Sequence, residues 1–481
     1  MLTLKPDARR AGRNPRGPSL AMPLQLLFFT PGMQRNDHLR GRAGCSAVTE
    51  IKITGDMMSK TQWIIHRLTR QLWFRSSLFA VLAVITALVA IAIKPFIPIS
   101  MSGIVGSDAV DKILTILASS MLAVTTFSLN IMVTAYNSAS SSVTPRATVL
   151  LLEDSTTQTM LATFIGSFLY SLVGIIALGM GAYGMQGRVI LFFVTLAVIA
   201  MIVITLLRWI QHLAQFGCLS DTSHRVEEAT TAALHHRLRS PCMGCAFWDG
   251  ILPETIPLHR VYPRQAGYLQ HLDLQELAGF AEEKACHLYL TAQPGSFVHG
   301  AAPLFWCDRP LADEDLQRLL SAFTLGEQRS FEQDPRFGLC VLSEIASRAL
   351  SPAVNDPGTA IDIIGRAVRL FSPSEPQESE TPQYPRLFMQ PAGIGDMFDD
   401  MFTGIARDGA ALVEVQLRLQ KALQALAMIA PHRYGAEAKR HAQLALVRAS
   451  LAMTSEADQA AVERVARWQA EAVISDKSLN N

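Results

Sequence analysis

Three groups of residues in this 481-residue chain have types and spacings that could do chemistry. The first lies in the stretch Asp334–Phe371, where Glu344, Ser351, Pro352, Asn355 and Asp356 surround a corner between two helical patterns. Ser351-Pro352 ends the first pattern, because proline lacks an N–H and disfavours helical geometry in the residue before it. Asp356 then stands as an N-cap with Pro357 at the first helical position. Two carboxylates and a carboxamide at such a corner can converge on a ligand or an ion. The same residues can also serve only to shape a packing unit, with Glu344–Arg348 and Asp362–Arg366 as i,i+4 ion pairs. The second group is the stripe Ser119, Thr126, Asn130, Thr134, Asn137 and Ser141, at helical spacing inside an apolar segment. Polar side chains facing lipid are costly, so this face meets protein or water. It lines a hydrated path, or it supplies interhelical hydrogen bonds. The third group is Cys242-Met243-Gly244-Cys245, with His235 and His236 just upstream, a set that fits zinc or redox chemistry. No second pair follows at defined spacing, so ordinary structural cysteines are expected there.

Other chemistries lack their residues. The chain shows no G-x-S-x-G, no G-x-x-x-x-G-K-[ST], no H-E-x-x-H and no paired CxxC. Gly179–Gly184 spells G-x-G-x-x-G, but at the end of an apolar segment rather than between a strand and a helix. His271, His287 and His299 are expected on strand surfaces. No catalytic residue, cofactor or metal ligand is assigned, and the chain is expected not to be an enzyme.

The elements that must position these groups begin in lipid. Hydrophobic residues make up 49% of the chain and charged residues 17%, below the roughly 25% of a soluble protein. Lys+Arg 42 against Asp+Glu 41 disfavours nucleic acid as a partner. Seven cysteines in so long a chain are no disulfide framework and suit a reducing compartment. Four uncharged apolar segments, Ser77–Ile93, Ile113–Tyr136, Met160–Tyr183 and Val189–Leu207, each suit a bilayer core about 30 Å thick. Gly184–Arg188 reads as the hairpin between the last two. Lys60, Arg67, Arg70, Arg75, Arg146, Arg208 and Arg225 on one side outnumber Lys94, Lys112 and Arg188 on the other, which predicts both termini in the cytoplasm.

Around this bundle, residues 1–57 read as a disordered, Arg-rich leader. The Met57-Met58 pair offers an alternative start of translation. Leu20–Phe29 lacks the cleavage site of a signal peptide. Residues 58–76 predict an interfacial amphipathic helix, and 77–212 the transmembrane domain. Residues 213–371 predict a cytoplasmic α/β domain, with strands at Gly267–Leu272, Cys286–Ala292 and Phe297–Trp306. Its helices are expected at Leu274–Lys284, Leu316–Leu325, Phe337–Leu350 and Ala360–Phe371. Residues 372–391, rich in Pro, Glu, Ser and Gln, read as a linker or loop, and 392–481 as a helical region of three helices: Gly404–Ala430, Ala436–Met453 and Glu456–Ile474.

The runs FSLNIMVTAYNSASSSVTPRATVLLLEDSTTQTMLATFIGSFLYSL, GYLQHLD, QPGSFVHGAAPL and FGLCVLSEIASRALSPAVNDPGTA together resemble the bacterial predicted membrane proteins grouped as domain of unknown function 2254. The resemblance covers roughly residues 70–430 and implies a multi-pass protein of the bacterial inner membrane, with four transmembrane helices and a large cytoplasmic part. It brings no activity. It marks Pro145, Arg146, Ser351, Pro352, Asn355 and Asp356 as positions of a shared role. Separately, Pro294–Leu304 resembles the turn of small biotinyl-type β units without their lysine, which hints at a small β-sandwich or barrel. The expected fold is thus an α-helical membrane protein followed by a mixed α/β region, a small β unit plus helices. The expected partners are the lipid bilayer, further copies of the chain, and an unidentified cytoplasmic ligand or protein. Two functions compete: a non-enzymatic sensor, scaffold or regulator, and an oligomeric channel or permease lined by the second transmembrane helix.

Overall fold

A computed structural model describes residues 107–180, 184–253, 257–372 and 381–469, together with helical positions Phe74, Ser77, Val81, Val84, Ile85 and Val89. The leader 1–57, most of the interfacial segment 58–76 and most of the first apolar segment lie outside the described residues.

Three described helical stretches are long and apolar enough to cross a membrane: Ala109–Ser142, Thr148–Gly179 and Arg188–Leu213. They belong to α1 (Ser107–Ser142), the short α2 (Thr148–Leu152) with α3 (Ser155–Gly179), and α4 (Gly184–Leu213). The predicted hairpin Gly184–Arg188 is already the first turn of α4. Small residues let α3 approach its neighbours: Ser167 and Ser171 are buried, and Gly174 lies against the Leu114 methyls of α1. Tyr170 of α3 shares a hydrogen bond of 3.0 Å with Thr195 of α4. On the outer surface Ile116, Phe127, Val133, Phe193, Leu196, Val203 and Leu207 are exposed, as lipid-facing side chains would be.

After α4 the chain turns at Gly217, whose φ of +77° few other residues adopt and whose Cα lies against Ala135 of α1. It then runs into α5 (Leu219–Arg239), a helix not foreseen in the sequence. Two sheets follow. One is five-stranded and ordered β1-β8-β4-β6-β2, from β1 (Cys245–Phe247), β2 (His259–Val261), β4 (Leu288–Leu290), β6 (Phe305–Cys307) and β8 (Tyr384–Met389). The other is antiparallel, with β3 (Gly267–Leu272) between β5 (Phe297–Val298) and β7 (Phe323–Gly326). α6 (Leu274–Glu283) buries Leu277 and Phe280 in the core that the two sheets share, and α7 (Asp313–Ser321) adds Leu319.

Several sequence expectations change here. Phe297–Trp306 is two strands in different sheets, divided by the Gly300–Pro303 turn, where proline cannot donate to a ladder. The helix expected at Leu316–Leu325 stops at Ser321 and continues as β7. The largest correction falls on 372–391. Residues 373–380 lie outside the described residues, but Tyr384–Met389 is strand β8, paired in parallel with β1 and β4, with Leu290 opposite Met389. Its Tyr384, Leu387 and Met389 are buried, and the apolar core holds it despite Pro385. The biotinyl-like turn therefore belongs to a mixed, helix-packed α/β arrangement and not to a small barrel.

The remaining helices are α8 (Pro335–Ala349), α9 (Pro357–Phe371), α10 (Ile394–Asp408), α11 (Val413–Ile429), α12 (Pro431–Ala452) and α13 (Glu456–Ala466). The single helix expected at Gly404–Ala430 is split by a turn around Gly409 into α10 and α11. Asp334 and Asp356 each precede a proline and cap α8 and α9, accepting from Phe337 N at 3.2 Å and Thr359 N at 3.1 Å. Gly338 lets α8 lie on Thr230 of α5, closer than any Cβ permits. Helices from both sides of 372–391 share one core, in which Phe371, Phe398, Phe402 and Tyr434 pack ring against ring. The same core takes in Ala139 and Val143 at the end of α1, Ala147, and Leu151 of α2. The α1–α3 end of the bundle and the helical layer are thus one packed body.

Candidate functional site

The sequence singled out the loop Pro145-Arg146 and Glu344 for separate reasons, and the structure brings them together. Val143 and Ala147 anchor the loop between α1 and α2 in the shared core, which leaves Thr144 and Arg146 facing α8. Arg146 Nη1 donates to Glu344 Oε1 at 2.5 Å, and Thr144 Oγ1 donates to Glu344 Oε2 at 3.1 Å. The hydrogen bond and charge of Glu344 raise the Arg146 guanidinium above its ordinary pKa. The Pro145 carbonyl accepts from Thr148 Oγ1 at 2.7 Å and so shapes the start of α2. Glu344 is therefore committed to the bundle loop. No described hydrogen bond or ion pair joins it to Arg348, Asn355 or Asp356.

The corner itself is local. Asn355 takes a left-handed φ of +50°, and its N–H donates to the Ser351 carbonyl at 2.8 Å. Asp356 N–H donates to the Ala349 carbonyl at 2.8 Å, and the Asp356 carboxylate accepts from Thr359 Oγ1 at 2.6 Å. These bonds to Thr359 hold the Asp356 carboxyl below its ordinary value, its hydroxyl contributing most. Ser351 Oγ donates to the Arg348 carbonyl, and Pro352 is exposed. These residues bend the chain, and the Asn355 backbone and the Ser351 and Asp356 side chains bond within the corner itself.

A second meeting point was missed in the sequence. Asp154, the N-cap of α3, is buried at the α2–α3 joint and accepts from Thr157 N and Thr157 Oγ1. His212 Nε2, at the end of α4, lies 3.0 Å from one oxygen, and Arg225 Nη1 of α5 donates to the other at 2.7 Å. Arg225 also pairs with Asp221 at 2.8 Å. Burial would lower the Arg225 pKa, but Asp221 and Asp154 carry it above the ordinary value. Two residues along α5, Glu227 accepts from Arg366 and Arg369 of α9 at 2.6 Å and 2.7 Å. Burial works to raise Glu227, and the two guanidiniums overcome it and hold the carboxyl low. The only local signal was Asp154 three residues before Thr157, since His212 and Arg225 lie far along the chain.

The stripe on α1 has a definite position. Ser119, Thr126, Asn130, Thr134, Asn137 and Ser141 are all exposed, on the opposite side from the buried Leu114, Leu117 and Met121. Thr126 and Thr134 return their hydroxyls to the carbonyls of Leu122 and Asn130, at 3.0 Å and 2.9 Å. No described residue bonds the carboxamides of Asn130 and Asn137.

The Cys242–Cys245 turn is structural in character. Met243 and Gly244 take left-handed φ values of +55° and +80° and lead directly into β1. Burial raises both thiols, Cys245 to about 12, so neither is a ready thiolate. His235 lies on the Leu370 carbonyl at 3.2 Å instead of facing the cysteines. Of the three histidines expected on strand surfaces, His271 is buried, His287 pairs with Asp308, and His299 accepts from Ala301 N within its turn.

The model of the family described as predicted membrane protein (DUF2254) matches residues 69–425. The chain belongs to this family. DUF2254 thus covers the apolar helices, both sheets, the Arg146–Glu344 contact and the helical layer as far as α11. An uncharacterized protein of Mycobacterium tuberculosis strain CDC 1551 / Oshkosh is 30% identical over 269 residues, 52% of this chain and 50% of the relative. An uncharacterized protein of Mycobacterium bovis is 29% identical over the same length, with the same shares of each chain. The aligned part is about half the length of these curated relatives. No solved structure matches the chain.

Proposed function

We propose that this membrane protein is a non-enzymatic sensor or regulator of the bacterial inner membrane, with both termini in the cytoplasm. In this reading the C-terminal part binds a small ligand or a protein, and the bundle carries the change in state. The observation that supports it most is the shared core. Ala139, Val143, Ala147 and Leu151 pack with α5 and α8–α12, and two polar ties cross the same junction, Thr144/Arg146 to Glu344 and Asp154 to Arg225. Packed elements joined in this way shift together, because cores are bistable rather than continuously deformable. Ser351, Pro352, Asn355 and Asp356 enter as the hinge of α8 on α9, not as direct ligand contacts. Hydrogen exchange on the full chain in nanodiscs tests the reading. Arg146→Ala combined with Glu344→Ala is expected to speed exchange in α8 and α9 as well as in residues 143–154. A change confined to the loop would overturn transmission through this junction.

A second reading, an oligomeric channel or permease, is favoured by the outward stripe on α1. Two carboxamides on a membrane-facing surface require protein or water beside them, and a second copy of α1 supplies either. Native mass spectrometry from nanodiscs is then expected to show an assembly, and Asn130→Leu to abolish conductance in planar bilayers. A monomer, or an unchanged current, removes this reading.

A further inference from the structure

Outside the junction, one cluster has the donors of a metal site. Cys286 leads into β4, and Cys307 ends β6. The antiparallel register sets Leu288 opposite Cys307, so Cys286, two residues before Leu288, returns to the same face of the sheet. Each cysteine is followed by a second donor, His287 and Asp308. Cys286 Sγ, Cys307 Sγ and an Asp308 carboxylate oxygen all lie within 4.8 Å of one another. Both cysteines are buried, 1% and 0% exposed, and the Asp308 side chain is 11% exposed. The carboxylate is aimed by its neighbours: His287 N donates to one oxygen at 2.9 Å, and His287 Nδ1 lies 2.7 Å from the other. No lysine or arginine makes a described ion pair with Asp308.

We propose that Cys286, Cys307 and Asp308 bind a divalent cation of zinc's class, with His287 orienting the carboxylate from the exposed side. Tetrahedral zinc with bonds of about 2.0–2.3 Å places its donors roughly 3.5–4 Å apart, so small side-chain rotations close the site. Two thiolates select a borderline-soft ion over magnesium or calcium. Three protein donors leave the fourth corner to water on the His287 side, where that ring is 40% exposed. The ion would clip the entrance of β4 to the exit of β6, both three-residue strands in the sheet that β8 completes. This site stands apart from the junction, and neither reading depends on the other.

The test is cobalt(II) titration of the reduced, full-length protein in detergent, with competition by a chelator. One equivalent is expected, with a near-ultraviolet thiolate-to-cobalt band and the visible bands of a tetrahedral ion. Cys286→Ser and Cys307→Ser should abolish the thiolate band, while the Cys242→Ser/Cys245→Ser variant retains it. His287→Ala should weaken affinity by about 10-fold or more, as loss of an orienting partner does. No thiolate band in the wild type overturns the proposal, and so does a band that survives loss of Cys286 and Cys307 but disappears with Cys242 and Cys245. Where the cysteine variants do not fold, Asp308→Asn decides. Unchanged affinity and spectrum in that variant overturn the site, and a weakened, shifted spectrum supports it.

Discussion

The helical layer accommodates buried polar groups in opposite ways at two places. Toward the bundle, Asp154 is surrounded by Thr157 N–H and hydroxyl, His212 and Arg225, donors from three separate helices. In α12, His441 is 2% exposed against Phe398 and Phe402, with Arg440 and Asp399 beside its Nε2. Burial pushes its pKa down to about 4, helped by Arg440 and opposed by Asp399 and Glu437. One place keeps a polar group by pairing it, and the other by holding it neutral, the two ways in which a buried ionisable group becomes affordable. The difference matters for transmission. Asp154 joins three helices through its donors, whereas the neutral His441 ring meets its chain neighbour Arg440 at 3.0 Å and reaches one other helix through Asp399, 3.2 Å away.

Asp154→Ala gives the strongest test of that contrast. Removing the carboxylate leaves Arg225 half-buried with Asp221 alone and strips α3 of its N-cap. Breaking a buried pair costs about 3–5 kcal/mol. A fall in stability near the lower end of that range is expected in detergent denaturation, with Asp154→Asn intermediate because asparagine still caps. A loss below about 1 kcal/mol would show that the pairing does not hold the helices together.

His441 is next in size. Its folded pKa, about 4, lies below its unfolded value of 6.5, so the unfolded chain binds the extra proton first. Stability contributed by the neutral ring is therefore complete above the unfolded value. It falls by up to about 1.4 kcal/mol per pH unit as the pH drops from there toward the folded pKa. Thermal melts of wild type and His441→Leu across that window check it, and the variant should show a flatter profile.

How much of this was legible in the sequence follows from where each partner lies. Asp356-Pro357 is a cap written in adjacent residues, and α9 starts where that dipeptide predicts. β3 matches its predicted bounds because its apolar residues and flanking turn signals are contiguous. β8 was hidden because it follows a Pro- and Glu-rich stretch, and only β1 and β4, distant in sequence, make it a strand. The Arg146–Glu344 contact spans 198 residues and Asp154–Arg225 spans 71, so no local spacing announces either. Cys286 and Cys307 likewise meet only through the β4–β6 register.

The corner gives a smaller, purely local effect. Asp356→Ala should cost about 1 kcal/mol, the usual worth of an N-cap. The Asp356 carboxyl is held below its ordinary value, so its contribution is present above the unfolded pKa and is lost as pH falls through the folded one. Asp356→Asn should retain most of the stability and lose that acid sensitivity. Exchange protection in α8 should be unchanged by either variant, unlike the effect of substitutions at the junction.

The smallest expected effect is on the Arg146–Glu344 pair, and it tests the contrast most sharply. The Arg146 side chain is 59% exposed and Glu344 35%, so water screens the pair, and a double-mutant cycle should return about 0.2–1 kcal/mol. Thr144 differs from Arg146 in this respect, being 5% exposed. Glu344→Ala takes the acceptor from its buried hydroxyl and should cost more than Arg146→Ala, by about 1 kcal/mol. Added salt should weaken the Arg146 part and leave the Thr144 part intact. On this account the guanidinium is a latch that opens cheaply, and Asp154 is the strut that keeps α3, α4 and α5 together while it does. A coupling above about 2 kcal/mol between Arg146 and Glu344 would reverse those roles and make the exposed loop the rigid link.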